Sequence, residues 1–175
     1  MEIIDIDGTL LTPEGKISDK TKNVIEQVLG KYPDLHFVLA SGRARPATQQ
    51  IRKILNINGR PNTESLLSNG CVIYDSKGGI LFQKSIPTEF FVKAHKIINP
   101  SSDVVYMYSI GDDAFTFSEE WAKEIKDKYE EQTVVVELEK FIHKIESGEL
   151  MVNKFCFLTR QSSEVESMYR TSLKV

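Results

Sequence analysis

The sequence has few cysteines and no long apolar run. Its 175 residues include two cysteines, Cys71 and Cys156, which lie far apart without the short spacing of a metal site. They predict free thiols in a reducing compartment. No apolar segment approaches the roughly 20 residues that span a membrane, and the N-terminus enters a predicted strand instead of a signal peptide. We therefore expect a cytoplasmic protein with no membrane segment.

The chain also lacks a strong excess of either charge. It has 22 lysines and arginines and 25 aspartates and glutamates, so no basic surface for nucleic acid is expected. The three histidines, His36, His95 and His143, have no metal-ligand spacing, which argues against a histidine metal site. The composition is that of a globular protein, with 41% hydrophobic residues, and the chain is long enough for one good hydrophobic core or two small ones.

The first half of the sequence alternates strand and helix patterns. The patterns predict strands at about 2–6, 35–40 and from 66, helices at about 19–30 and 46–55, and a hairpin of Val72–Tyr74 with Ile80–Gln83. This order favours a parallel sheet with helices on its faces, a Rossmann-like α/β core.

After Pro87 the pattern changes to a separate α+β arrangement that starts near residue 84. Its predicted elements are helices at about 88–98, 119–129, 138–145 and 162–173 and strands at about 104–109, 114–118, 134–136 and 151–158. We therefore predict two domains, residues 1–83 and residues 84–175.

Two carboxylates follow the first predicted strand. Asp5 and Asp7 stand two residues apart at the end of an apolar run, directly before Gly8 and Thr9. Residues i and i+2 of a strand point to the same side, which predicts adjacent carboxylates. Such a pair suits Mg²⁺, or can act as a nucleophile and a general acid and base. An Asp-x-Asp-Gly sequence also occurs in solvated turns and calcium loops.

A second candidate motif, Ser41-Gly42-Arg43, follows the second predicted strand. Ser41 offers a hydroxyl, Gly42 an unhindered N–H and the next predicted helix a positive end, a set that would bind an anion. Alone, a Ser-Gly pair is more often only a turn. In parallel sheets the ligand site lies beyond the carboxyl ends of the strands, where Asp5, Asp7 and Ser41 all fall. We therefore expect one shared site.

These motifs resemble those of the haloacid dehalogenase (HAD) superfamily of phosphotransferases, and more narrowly the Cof-type phosphatases with a C2-type cap after the third strand. The resemblance covers essentially the whole chain. It rests on four segments, Asp-Ile-Asp-Gly-Thr-Leu-Leu at 5–11, Val-Leu-Ala-Ser-Gly-Arg at 38–43, Ser-Asn-Gly-Cys-Val-Ile-Tyr-Asp at 68–75 and Gly-Gly-Ile-Leu at 78–81. It implies a HAD-like core over residues 1–83 and a cap lobe over residues 84–175.

The resemblance also implies roles for individual residues. Asp5 would be the catalytic nucleophile, and Asp7 the catalytic acid and base; the Asp5 carboxylate and the Asp7 main-chain carbonyl would hold the cofactor, Mg²⁺. The other implied site residues are phosphate-binding Ser41, Gly42, Gly8 and Thr9 and substrate-pocket Arg43, Asn69 and Gly70. The cap would close over a small phosphorylated metabolite, such as a sugar phosphate.

The second half of the sequence departs from the family pattern. Family members complete the site with a lysine and an acidic pair on core strands after the cap. Asp112 and Asp113 lie in a predicted hairpin of the second lobe and Lys154 on one of its strands, so none of them is a good replacement. We expect the chain to end within an incomplete cap and its turnover to be impaired.

Three rival functions stay open beside the predicted Mg²⁺-dependent phosphatase with an aspartyl phosphate at Asp5. A non-catalytic relative would bind phosphate or Mg²⁺ without turnover. A phosphorelay receiver is disfavoured because its phosphorylated aspartate should end a middle strand, and the middle strand here ends in Ala40-Ser41. An interaction module would self-associate through the exposed edge of an incomplete sheet and would tolerate loss of Asp5.

Overall fold

The chain divides into two compact units, Met1–Lys84 and Ser85–Val175. The computed structural model describes residues 1–97, 104–129, 131–160, 166–167 and 170. None of the helices in these ranges is long and apolar enough to cross a membrane. The assignment of the two units as a core and a cap stays a prediction.

The first unit is built on a five-stranded sheet in the order β1-β2-β3-β4-β5. Its elements are β1 (Glu2–Asp5), α1 (Asp19–Lys31), β2 (Phe37–Ala40), α2 (Gln49–Ile54), β3 (Ser65–Leu67), β4 (Val72–Tyr74) and β5 (Ile80–Gln83). Strands β1, β2 and β3 are parallel, whereas β4 and β5 form an antiparallel hairpin. The predicted α/β class and parallel sheet are confirmed.

Helix α1 begins at a capping serine and packs through one face. The Thr21 N–H donates to Ser18 Oγ over 3.1 Å, which satisfies one of the open donors of the first turn. Ile25 and Leu29 are buried in the core cluster that includes the inner residues of β2. Val24, next to Ile25 in the sequence, is 50% exposed, so the buried face of this helix is narrow.

Strand β1 lies at one edge of the sheet. It pairs in parallel with β2, from Glu2 opposite Phe37 to Asp5 opposite Ala40. Ile3 is 51% exposed at this edge. An edge strand presents backbone groups that can pair with another chain, but self-association through it stays a prediction.

The second predicted helix is wrong in its form. Instead of one helix over 46–55, the structure has a 3-10 turn over Arg45–Thr48 followed by the six-residue α2. Pro46 lacks an N–H, and the Thr48 hydroxyl donates to Arg45 O over 2.8 Å, which holds the tighter turn. The first strand also ends one residue early, at Asp5, because Ile6 enters a turn.

The second unit contains a four-stranded sheet in the order β8-β7-β6-β9. Its elements are α3 (Thr88–Ile97), β6 (Val104–Ile110), β7 (Asp113–Thr116), α4 (Glu119–Tyr129), β8 (Thr133–Val135), α5 (Leu138–Glu146) and β9 (Lys154–Thr159). Asp112 lies in the β6–β7 hairpin, as predicted. The predicted break at 99–102 and most of the helix predicted at 162–173 lie outside the described residues.

A buried histidine links two helices to the sheet of the second unit. The His95 side chain, 6% exposed, lies 3.1 Å from Glu146 Oε1 through Nδ1 and 2.8 Å from the Tyr108 hydroxyl through Nε2. The Glu146 carboxylate can only accept, so Nδ1 donates to it; in the neutral imidazole Nε2 then accepts from the Tyr108 hydroxyl, which keeps its proton because burial raises the pKa of this phenol. Both ring nitrogens are occupied within the protein, which explains His95 as a packing residue.

Replacing Tyr108 by phenylalanine is expected to lower the free energy of unfolding by about 1–3 kcal/mol, because it leaves the buried Nε2 of His95 without a donor. Urea denaturation followed by circular dichroism measures the change. Tyr32→Phe removes the same hydroxyl from a ring that is 52% exposed and should have little effect. Equal stability of the two variants would contradict the assignment.

Candidate active site

The chain leaves β1 through a wide turn over Ile6–Leu10. The Leu11 N–H donates to Ile6 O over 3.0 Å to close this turn, and Gly8 adopts a φ of +82° that favours glycine. Ile6 is fully buried, while Asp5 and Asp7 on either side of it are exposed. The two carboxylates therefore point away from the core at the carboxyl end of β1.

Arg43 and Ser41 converge on the carboxylate of Asp7. Arg43 donates from Nη2 to Oδ1 over 2.7 Å and from Nε to Oδ2 over 3.1 Å. The Ser41 hydroxyl donates to the same Oδ2 over 3.2 Å. The two motifs, 34 to 36 residues apart in the sequence, thus meet at adjacent strand ends, and Arg43 binds Asp7 through two N–H groups on one edge of its guanidinium.

This arrangement sets the charge of Asp7. Hydrogen bonding from the Arg43 guanidinium lowers the pKa of the Asp7 carboxyl below its ordinary value, against a smaller opposing effect of burial. The Arg43 N–H donates to Ser41 Oγ over 3.1 Å, so the serine hydroxyl is fixed by its own loop as well. The result is an ionised carboxylate held by one cation and one hydroxyl.

The segment after β3 lies against the Ser41–Arg43 loop. The Asn69 N–H donates to Ser41 O over 3.2 Å, and the Ser68 N–H donates to Arg43 O over 3.0 Å. A Cβ built on Gly42 would lie 2.6 Å from Asn69 Oδ1. The structure therefore brings Asn69 to the second motif, a contact that the spacing of the sequence does not show.

A pocket of about 330 Å³ opens beside Asp7. Its lining residues are Asp7, Gly8, Leu11, Thr12, Pro13, Gly15 and Arg43. The Thr12–Gly15 stretch was not among the predicted site residues. It directly follows the Asp-x-Asp segment, and because the chain has to turn back over the end of β1, this position was the signal that could have placed it in the wall.

The other predicted site residues lie outside the pocket lining. Asp5 ends β1, Thr9 is exposed within the turn, and Gly70 follows Asn69 with a φ of +82°. In the described parts of the chain, the Asp5 carboxylate forms neither a hydrogen bond nor an ion pair. The site roles predicted for these three residues and for Asp7, Gly8, Ser41, Gly42, Arg43 and Asn69 all stay predictions.

The donor set at the end of β1 fits a hard cation. Asp5 and Asp7 supply oxygen ligands, and Mg²⁺ is commonly held by one or two carboxylates together with water and phosphate oxygens. A closed protein cage is not formed: in the described ranges, no cluster of three or more His, Cys, Asp and Glu residues could hold a metal. An open, oxygen-lined position is compatible with a metal that is shared with a phosphate ligand.

The fold and the site define a hydrolase-type α/β domain whose acidic residues follow the first strand. The family model for haloacid dehalogenase-like hydrolases matches residues 3–173, and the chain belongs to this family. An uncharacterized hydrolase of Schizosaccharomyces pombe is 32% identical over 164 residues, which make up 88% of this chain and 51% of that protein. The chain thus spans about half the length of this relative.

Solved structures share the fold at lower identity. TM0651 from Thermotoga maritima superposes with a TM-score of 0.73 at 20% identity, over 98% of this chain and 61% of that one. The HAD subclass IIB sugar phosphatase BT4131 gives a TM-score of 0.72 at 17% identity, over 98% and 62% of the two chains. The predicted membership of the HAD superfamily is confirmed.

Proposed function

We propose that the chain acts as a Mg²⁺-dependent phosphatase on a small phosphorylated metabolite, such as a sugar phosphate. The observation that carries the proposal is the convergence of Ser41 and Arg43 on Asp7 at the carboxyl end of β1, the strand that Asp5 ends. A hydroxyl and a guanidinium that meet a carboxylate, with a second carboxylate two residues before it, can bind a phosphate and transfer it.

Two carboxylates divide the proposed reaction. Asp5 attacks phosphorus and the ester P–O bond breaks; Asp7, which takes up a proton once Arg43 exchanges its bond to Asp7 for bonds to the phosphate, gives that proton to the leaving oxygen. Asp7 then takes a proton from water, whose oxygen attacks the aspartyl phosphate, releases inorganic phosphate and restores Asp5. Asp7 can act as this base because it gave up its proton in the first step.

The remaining residues bind and orient the phosphate. Ser41, Gly42, Gly8 and Thr9 would supply donors, and Arg43 would exchange its bond to Asp7 for bonds to phosphate oxygens. The Asp5 carboxylate and the Asp7 carbonyl would hold Mg²⁺, which supplies positive charge against that of the phosphate.

Turnover by these 175 residues alone is expected to be slow. Arg43 is the one cation among the residues that line the pocket, and the lysine and acidic pair of the resembled family have no counterpart in the described residues at Asp7. Loss of one electrostatic stabiliser costs about 10²–10³-fold in rate. A pocket with one cation and two carboxylates nearby, but without those further groups, also favours the second candidate, a protein that binds phosphate or Mg²⁺ without turnover.

The deciding experiment measures release of inorganic phosphate from p-nitrophenyl phosphate and from a panel of sugar phosphates. We expect slow hydrolysis that requires added Mg²⁺ and stops when EDTA is added, because the phosphate and the two carboxylates repel each other without a cation. Saturable phosphate binding without release would favour the second candidate. A folded chain that neither binds phosphate nor hydrolyses any ester would contradict both.

A further inference from the structure

Three successive residues after β3 adopt left-handed backbone conformations. Their φ angles are 52° at Ser68, 58° at Asn69 and 82° at Gly70. Residues with a Cβ visit this region mostly singly, and asparagine tolerates it better than most. A run of three therefore requires that the surrounding structure hold the segment in place.

Backbone hydrogen bonds attach this turn to the loop after β2. The Asn69 N–H donates to Ser41 O and the Ser68 N–H donates to Arg43 O, so the turn is bonded to the residues on both sides of Gly42. Within the turn, the Cys71 N–H donates to Ser68 O over 3.2 Å. The left-handed segment and the second motif thus form one backbone unit beyond the end of the sheet.

The side chain of Asn69 occupies the space that a Cβ at Gly42 would need. Such a Cβ would lie 2.6 Å from Asn69 Oδ1 and 3.6 Å from its Cγ, and no other atom outside its own chain neighbours comes within 4 Å. The φ of Gly42 is not in the left-handed region, so backbone conformation does not demand glycine there. A side chain added at position 42 would therefore meet the carboxamide of Asn69.

We propose that Asn69 is a positioning residue, whose carboxamide packs on Gly42 and holds the loop where Ser41 and Arg43 both reach Asp7. The role in phosphate transfer rests on the proposed function, but the contact itself does not. The mechanism is steric: the Asn69 carboxamide fills the space beside Gly42, so a side chain added at position 42 displaces the loop as long as Asn69 is present.

The test is a double-mutant cycle of Gly42→Ala, Asn69→Gly and the two combined. Glycine at 69 accepts the positive φ, so the change removes the side chain without straining the turn. The first readout is the Arg43 Nε–H resonance in a ¹H–¹⁵N NMR spectrum, since this group donates to Asp7. Asp7→Asn gives the reference position for an Arg43 that has lost its charged acceptor.

In Gly42→Ala we expect the Arg43 Nε–H resonance to move towards the Asp7→Asn position. In the double variant it should return to the position seen in Asn69→Gly, because the obstacle to the new methyl group is gone. Asn69→Asp, which keeps the shape of the side chain, should leave the resonance near its wild-type position. Persistence of the Gly42→Ala shift in the double variant would overturn the proposal, as would an unchanged resonance in Gly42→Ala.

The second readout is kcat/KM with p-nitrophenyl phosphate. Displacement of the loop in Gly42→Ala should lower it by about 10²-fold, mainly through kcat, and the double variant should recover to the level of Asn69→Gly. If the wild-type chain shows no turnover, the proposed function fails while the NMR cycle still decides whether Asn69 positions the loop. If the effects of the two substitutions on kcat/KM were non-additive while the Arg43 Nε–H resonance stayed unchanged, the positioning role would be contradicted.

Discussion

Replacing Asp5 by asparagine is expected to abolish hydrolysis of every phosphate ester that the chain accepts. Asparagine has nearly the same shape, but its amide cannot form an acyl phosphate, so both steps of the proposed reaction stop. We expect a loss of at least about 10³-fold, the scale on which removal of a catalytic group acts. Acid-quenched ³²P labelling should find phosphoprotein in the wild-type chain and none in the variant.

The matched control for this change is Asp34→Asn. Asp34 is also an exposed aspartate of the first unit, in the connection between α1 and β2, so its replacement alters the net charge equally. It should leave turnover and labelling unchanged. If the Asp5→Asn chain still turned over substrate, Asp5 would not be the nucleophile. The proposed phosphatase function would then require a different nucleophile.

Replacing Asp7 by asparagine is expected to affect substrates according to their leaving groups. The alkoxide of a sugar phosphate needs a proton to depart, so its hydrolysis should fall by about 10²–10⁴-fold. p-Nitrophenolate departs without a proton, and its release should continue until each Asp5 is phosphorylated. Because no base then remains to activate water, stopped-flow absorbance should show a burst equal to the enzyme concentration, followed by slow turnover.

The control for Asp7 is Glu14→Gln. Glu14 is an exposed carboxylate between two residues of the pocket wall, Pro13 and Gly15, but does not itself line the pocket. This variant should hydrolyse both substrates at the wild-type rate. Equal losses for the two leaving groups in Asp7→Asn, without a burst, would show that Asp7 acts through its bond to Arg43 rather than as an acid and base.

The parallel sheet and the proximity of the two motifs could be predicted from the sequence. Alternating strand and helix patterns require parallel strands, and parallel strands place their carboxyl ends together, so Asp7 and Ser41 had to come close. The predicted start of α1 at about residue 19 is confirmed at Asp19, where the preceding Ser18 caps the helix through a local hydrogen bond. The start of a helix depends on a few neighbouring residues, and the shared edge of parallel strand ends holds for every such sheet. Both could therefore be predicted from the sequence, and both are confirmed.

Contacts between side chains of distant segments could not be predicted in this way. Nothing in the residue types shows that Arg43 would bind the Asp7 carboxylate, or that Asn69 would pack on Gly42. The 3-10 turn before α2 was missed because the sequence pattern is compatible with either helix type, and the hydrogen bond from Thr48 to Arg45 O decided between them.

The two units have separate cores, and this bears on how such a protein evolves. The apolar residues around Tyr106 and Phe141 in the second unit form one cluster, and those around Leu39 and Leu55 in the first form another, with no residue in common. Every predicted site residue lies in the first unit. Among the described residues, a substitution in the second core therefore changes the apolar contacts of a cluster that contains no predicted site residue, so selection can alter that core while the residues of the acidic turn stay the same.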